Sequence, residues 1–264
     1  MGWADLSTDP ALVEALDAAG SRDVGGNREA KKRWSERFAD ACAVMVANAM
    51  RRNKYFDSLE VRPDAQGGGR ESFTPLGYGQ GKRIDVVAFT PLAGLQVGVS
   101  LKGLGFQDVR SGNYDKNLTG RLYELRDEVS VVHEHLPRAT MVGMFFVPIL
   151  GTEDKTAAAP SSFAKTVAKL RNRTGRLDPH MESHAHRCDL AYVVLYVPGD
   201  DGDTLPRGTC RWFDVNVDPP RRGRPHIGDT LDLDGVVEQI ATHALLEDEK
   251  LISWATPEPS EEGD

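Results

Sequence analysis

The chain is poor in cysteine. Its three, Cys42, Cys188 and Cys210, are scattered and form no CxxC pair. That argues against a disulfide framework and points to a reducing compartment, the cytoplasm. No apolar run approaches the ~18–20 residues that cross a bilayer, so no membrane partner is expected. The opening stretch, "MGWADLSTDPALVEALDAAG", has no basic n-region and no apolar core, and no signal peptide is expected there. An excess of positive charge is also missing: net charge is −8. Much of that sits in one place, because Glu247 to Asp264 carries −6 and the other 246 residues only −2. A near-neutral body with local basic clusters can still hold a phosphate backbone, so net charge does not exclude nucleic acid.

What is present is ordinary for a folded domain: 264 residues, 40% hydrophobic and 27% charged. Residues 10–19 predict a short helix ending at Gly20. From Arg28 to about Met50, Trp34, Phe38, Ala41, Cys42, Met45, Val46 and Ala49 recur at helical spacing opposite a basic face. "RIDVVAF" and "LQVGVSLK" predict a hairpin over 83–90 and 95–102, turned at Pro91–Gly94. Leu118, Leu122, Leu125, Val129 and Val132 predict an amphipathic helix. "RATMVGMFFVPIL" reads as a strand buried on both faces. A helix at 161–172, two strands in "DLAYVVLYVPG" and "RWFDVNVDPP", and a helix in "DLDGVVEQIATHALLED" complete the order. Helices separated by strands predict an α/β fold, a mixed central sheet flanked by helices on both faces.

The hairpin holds two unexpected charges. If partners across it sum to about 185, Asp85 lies opposite Ser100, with Lys102 on the diagonal, roughly 7–8 Å away. A charge at the end of a buried sheet needs a partner, a metal or a chemical task.

"RIDVVAF…QVGVSLKG" resembles the core of the PD-(D/E)XK nuclease superfamily, in which an Asp early in one strand is followed by an acid-x-Lys triplet on the next. The family's order of a helix, three strands, a helix and a further strand is similar to the order from about residue 28 to 150. This chain has Ser100-Leu101-Lys102 where the family usually has an acid, which resembles restriction endonucleases that draw the missing carboxylate from the following helix. The resemblance implies an Mg²⁺- (or Mn²⁺-) dependent DNA endonuclease of the restriction or prokaryotic defence type. Asp85 would be a metal ligand, Ser100 part of the catalytic set, and Lys102 the group that orients water or steadies transition-state charge.

For the missing carboxylate, helical geometry puts Arg121, Glu128 and Glu124 roughly 60°, 80° and 120° to one side of the apolar stripe. Glu124, in Arg-x-x-Glu, resembles the variant's arrangement and is preferred; Glu128 and Glu36 are the alternatives. Asp64, in a literal Pro-Asp, precedes a Gly-rich loop and ranks below Asp85.

Arg121 and the loop "PPRRGRPH", with Arg221, Arg222 and Arg224, are candidate DNA contacts; a solvated loop is the plain alternative. His180, His184, His186 and Cys188 are zinc-competent but match no zinc spacing, and a surface loop is the plainer reading. The expected organisation is an N-terminal helical extension over 1–27, a nuclease-like core over 28–150, and strands and helices over 151–254 that extend the core or form a recognition element. Residues 255–264 are expected to form an acidic, disordered tail. A homodimer and a defence-system partner protein are compatible with the resemblance. Other readings are an RNA nuclease, a partner-guided cleavage subunit, or an inactive nuclease-fold scaffold that binds nucleic acid or protein.

Overall fold

The computed structural model describes residues 2–69, 83–176, 184–200 and 202–255, with side chains as far as 247. Seven strands form one sheet in sequential order: β1 (Glu60–Arg62), β2 (Val86–Thr90), β3 (Gly94–Gly103), β4 (Thr140–Pro148), β5 (Leu190–Tyr196), β6 (Cys210–Asp214) and β7 (Thr230–Leu231). The pairs β3–β4 and β4–β5 are parallel and the others antiparallel, so the sheet is mixed. Five α-helices accompany it: α1 (Pro10–Ala19), α2 (Arg28–Arg52), α3 (Leu118–His135), α4 (Ser162–Arg171) and α5 (Leu233–Ala255).

The helices start where the sequence caps them. Asp9 accepts from the Ala11 and Leu12 amides ahead of Pro10, and Asn27 accepts from the Ala30 amide at the head of α2. The core divides by strand parity. Val86, Val97, Val99, Met144 and Val194 pack with α1, α2 and α5. Val87, Met141, Phe145, Val193 and Phe213 pack with α3 and α4. Every residue of β4 is buried, as its unbroken apolar run predicts for a strand covered on both sides.

Of the two alternatives for 151–254, the sheet bears on the first: β5, β6 and β7 continue it, and α5 shares a core with α2. The 151–254 segment therefore extends the core. The sequence reading missed the edge strands β1 and β7, which at three and two residues are too short to show a period.

Asp189 ties the sheet to the helices. Its carboxylate accepts from the Met141 amide at 2.6 Å and from Arg176 Nε at 2.6 Å, with His133 Nε2 at 3.3 Å. Burial alone would raise this carboxyl; the contacts from His133 and Arg176 outweigh it and hold it below the usual carboxylate range. Asp189→Ala leaves a buried guanidinium unpaired and is expected to cost about 3–5 kcal/mol in urea unfolding at pH 7. Because the folded pKa is depressed, the contribution is present above the unfolded value near ~3.9 and fades as pH falls below it. The gap between the two proteins should narrow in acid.

Candidate active site at the end of β3

The pairs Val86↔Val99, Val87↔Gly98 and Ala88↔Val97 set the hairpin register, and continuing it puts Asp85 opposite Ser100. A bulge between Ala88 and Phe89 shifts the register only towards the turn, where Gly94 has φ 74°, a left-handed conformation suited to glycine. Asp85 lies just before β2. Its Oδ2 accepts from the Leu101 amide at 2.7 Å, so the carboxylate takes a β3 donor beyond the end of the β2 ladder.

Ser100 and Lys102 follow the strand alternation onto the α3 side. Lys102 Nζ donates to Glu128 Oε1 at 2.8 Å and to Oε2 at 3.0 Å, and Ser100 Oγ donates to Glu128 Oε2 at 2.5 Å. The Lys102 side chain is 7% exposed and that of Glu128 16%. Burial pushes the Asp85 carboxyl above its usual range, and Glu128 adds to the effect; Lys102, the Leu101 amide and Arg83 oppose it less strongly. Asp85, Ser100, Lys102 and Glu128 thus form one electrostatic unit with two carboxylates and one ammonium.

Asp85→Asn carries an expected result with a definite sign. The raised folded pKa means that the ionised carboxylate destabilises the fold at neutral pH. Wild type gains stability as pH falls through that value towards the unfolded ~3.9. Asp85→Asn is neutral throughout, so its Tm should exceed wild type at pH 7 and the difference should shrink in acid.

The carboxylate that α3 supplies here is Glu128, and the preference for Glu124 is corrected. Glu124 is 48% exposed and pairs with Arg121 at 2.7 Å, along the helix surface. The physical reason was already in the helical angles: Glu128 lies 40° nearer the buried stripe. Glu36 is 59% exposed and pairs with Lys32 at 3.7 Å, outside the hydrogen-bonded cluster. Asp64 caps its own loop, accepting from the Gly68 and Gln66 amides, and those bonds hold its carboxyl low.

The basic loop makes contacts within the fold. Arg221 donates to the Ala158 carbonyl and Arg222 to that of Glu153, while Arg224 pairs at 2.5 Å with the buried Asp203. These bonds fasten the 152–161 segment and the loop after β5, and Arg221 and Arg222 stay exposed with one guanidinium nitrogen engaged in each. The side chain of Arg121 is committed to Glu124. Of the zinc candidates, His180 lies outside the described residues. Cys188 is a buried thiol whose pKa burial pushes up, and among the described residues no three metal-competent side chains cluster.

The donor set suits Mg²⁺ nevertheless. Both carboxylates offer hard oxygen, and Asp85 Oδ1 receives no hydrogen bond from the described residues. The unit carries one net negative charge, and Mg²⁺ is commonly bound by only one or two carboxylates, with water and substrate phosphate completing the shell. Among the described residues, no helix is long and apolar enough to cross a membrane. No family model, curated protein or solved structure matches the chain, so the geometry at the end of β3 carries the functional reading on its own.

Proposed function

We propose that this protein is a divalent-metal-dependent phosphodiesterase that cuts DNA, in the manner of the PD-(D/E)XK nucleases its hairpin resembles. One observation carries the reading. Ser100 and Lys102 of β3 bond Glu128 of α3, and Asp85, just before β2, is held to the Leu101 amide within their electrostatic field, all at the end of a buried sheet. Asp85 and Glu128 would hold the metal. When bound, Mg²⁺ supplies the positive charge that polarises a phosphate and acidifies a water.

The chain's own groups have distinct tasks. Ser100 Oγ–H fixes one oxygen of Glu128 and so selects its rotamer. Lys102 bridges both Glu128 oxygens. An ammonium has three N–H donors, so at least one remains to orient water or meet charge developing on a phosphoryl oxygen. Asp85, bonded through Oδ2 to the rigid β3 backbone, keeps a fixed position.

A second reading, an inactive scaffold of the same fold, has one observation in its favour: Lys102, Ser100 and Glu128 already satisfy one another as a buried polar network. Supercoiled plasmid separates the two. The nuclease reading expects nicked or linear product with 10 mM Mg²⁺ or Mn²⁺, none in EDTA, and none from Asp85→Ala. Intact plasmid from wild type under every metal condition overturns it in favour of the scaffold.

A further inference from the structure

The segment that reads as a possible zinc loop lies in a different chemical setting. His133 on α3 hydrogen-bonds through Nδ1 with the Ala185 carbonyl at 2.9 Å, which pins the 184–187 turn against that helix. Arg126 stands seven residues before His133, on the same helical edge. The Arg187 amide closes the turn onto the His184 carbonyl at 2.9 Å. The Cys188 amide donates to the Arg173 carbonyl at 2.9 Å, and Thr174 bridges Cys188, which brings the end of α4 alongside. Three elements thereby converge Arg126, Arg173, His184, His186 and Arg187.

Among the described residues, none of the three arginines forms an ion pair. Arg187 Nε and His184 Nδ1 are buried atoms without a hydrogen-bond partner. Asp189, two residues past Arg187, is engaged by Arg176 and the Met141 amide. His186 registers the field: burial lowers its pKa, and Arg126, Arg187, His184 and Arg173 lower it further. Guanidiniums repel a zinc ion and favour an oxyanion, whose several acceptor oxygens match their planar donors.

We propose that Arg126, Arg173, His184, His186 and Arg187 form a phosphate-binding site between α3 and the turn leading into β5. It lies on the edge of α3 away from Glu128 and does not depend on the nuclease reading. The phosphate belongs either to a free phosphate compound or to a nucleic-acid backbone, and the two arms of the test tell these apart.

Thermal unfolding is followed with inorganic phosphate against chloride at matched ionic strength, for wild type, Arg126→Gln and Arg187→Gln. Arg126 is exposed, so its substitution leaves the packing intact. In the second arm, a labelled 20-base-pair duplex is titrated into Asp85→Asn with and without the same substitutions. Phosphate is expected to protect wild type, with apparent affinity at least tenfold weaker in each variant. A parallel loss for the duplex, with the salt slope reduced by about 0.9 per contact removed, identifies a nucleic-acid backbone as the source. Unchanged duplex binding identifies a free phosphate compound. If neither phosphate nor duplex binding changes in either variant, the proposal is overturned, whatever the plasmid assay shows.

Discussion

Glu128→Gln is expected to slow plasmid nicking by about 10²–10³-fold, whereas Glu124→Gln and Glu36→Gln stay within about threefold of wild type. At 1.36 kcal/mol per tenfold, the loss amounts to about 3–4 kcal/mol of transition-state stabilisation. The difference comes from where the three carboxylates stand. Glu128 accepts from both Ser100 and Lys102 in the site, while Glu124 and Glu36 lie on the surface with their own cationic neighbours. Surface pairs of that kind contribute little, roughly 0–1 kcal/mol, so their loss should leave the fold and the rate nearly unchanged. A large effect at Glu124 with none at Glu128 would move the metal-binding edge of α3 one turn outward and contradict the arrangement described above.

Lys102→Met carries the second large effect, with nicking reduced by about 10³-fold. It also breaks a buried ion pair and leaves the Glu128 carboxylate without its ammonium, at a cost of about 3–5 kcal/mol. Loss of activity in the single variant could therefore come from loss of the fold, and a compensated variant removes that ambiguity. In Lys102→Met/Glu128→Leu both charges give way to apolar groups, a replacement that is often neutral for stability. Ser100 Oγ–H then lacks its acceptor, which costs about 1 kcal/mol. The double variant should unfold in urea within about 2 kcal/mol of wild type while cutting no plasmid. An active double variant would reduce the cluster to a structural ion pair.

The sequence showed this hairpin well because alternating apolar residues and a Pro-Gly turn constrain the register twice over, and only the bulge at Ala88 escaped. The long helices and β4 were equally legible, since their period or unbroken apolar run spans many residues. The short Arg-x-x-Glu motif points to Glu124, whereas 40° of helical rotation separates its exposure from the burial of Glu128. Arg221, Arg222 and Arg224 illustrate a different limit. Local charge density suggests a ligand, while their acceptors at Ala158, Glu153 and Asp203 lie 21 or more positions away and are adjacent only in the fold. Continuity of the sheet past residue 150 is likewise a matter of strand neighbours, which local pattern does not encode. The guanidinium cluster between α3 and the 184–187 turn draws on three elements, and only its histidines caught the eye in the sequence.

Asp85→Asn offers the most direct measurement, because it removes one negative charge without removing bulk and is expected to leave the protein at least as stable at pH 7. The initial rate of supercoiled-plasmid nicking in 10 mM Mg²⁺, compared between this variant and wild type, should fall by about 10³-fold or more. Equal rates from the two folded proteins would contradict a metal-dependent phosphodiesterase centred on Asp85, Lys102 and Glu128.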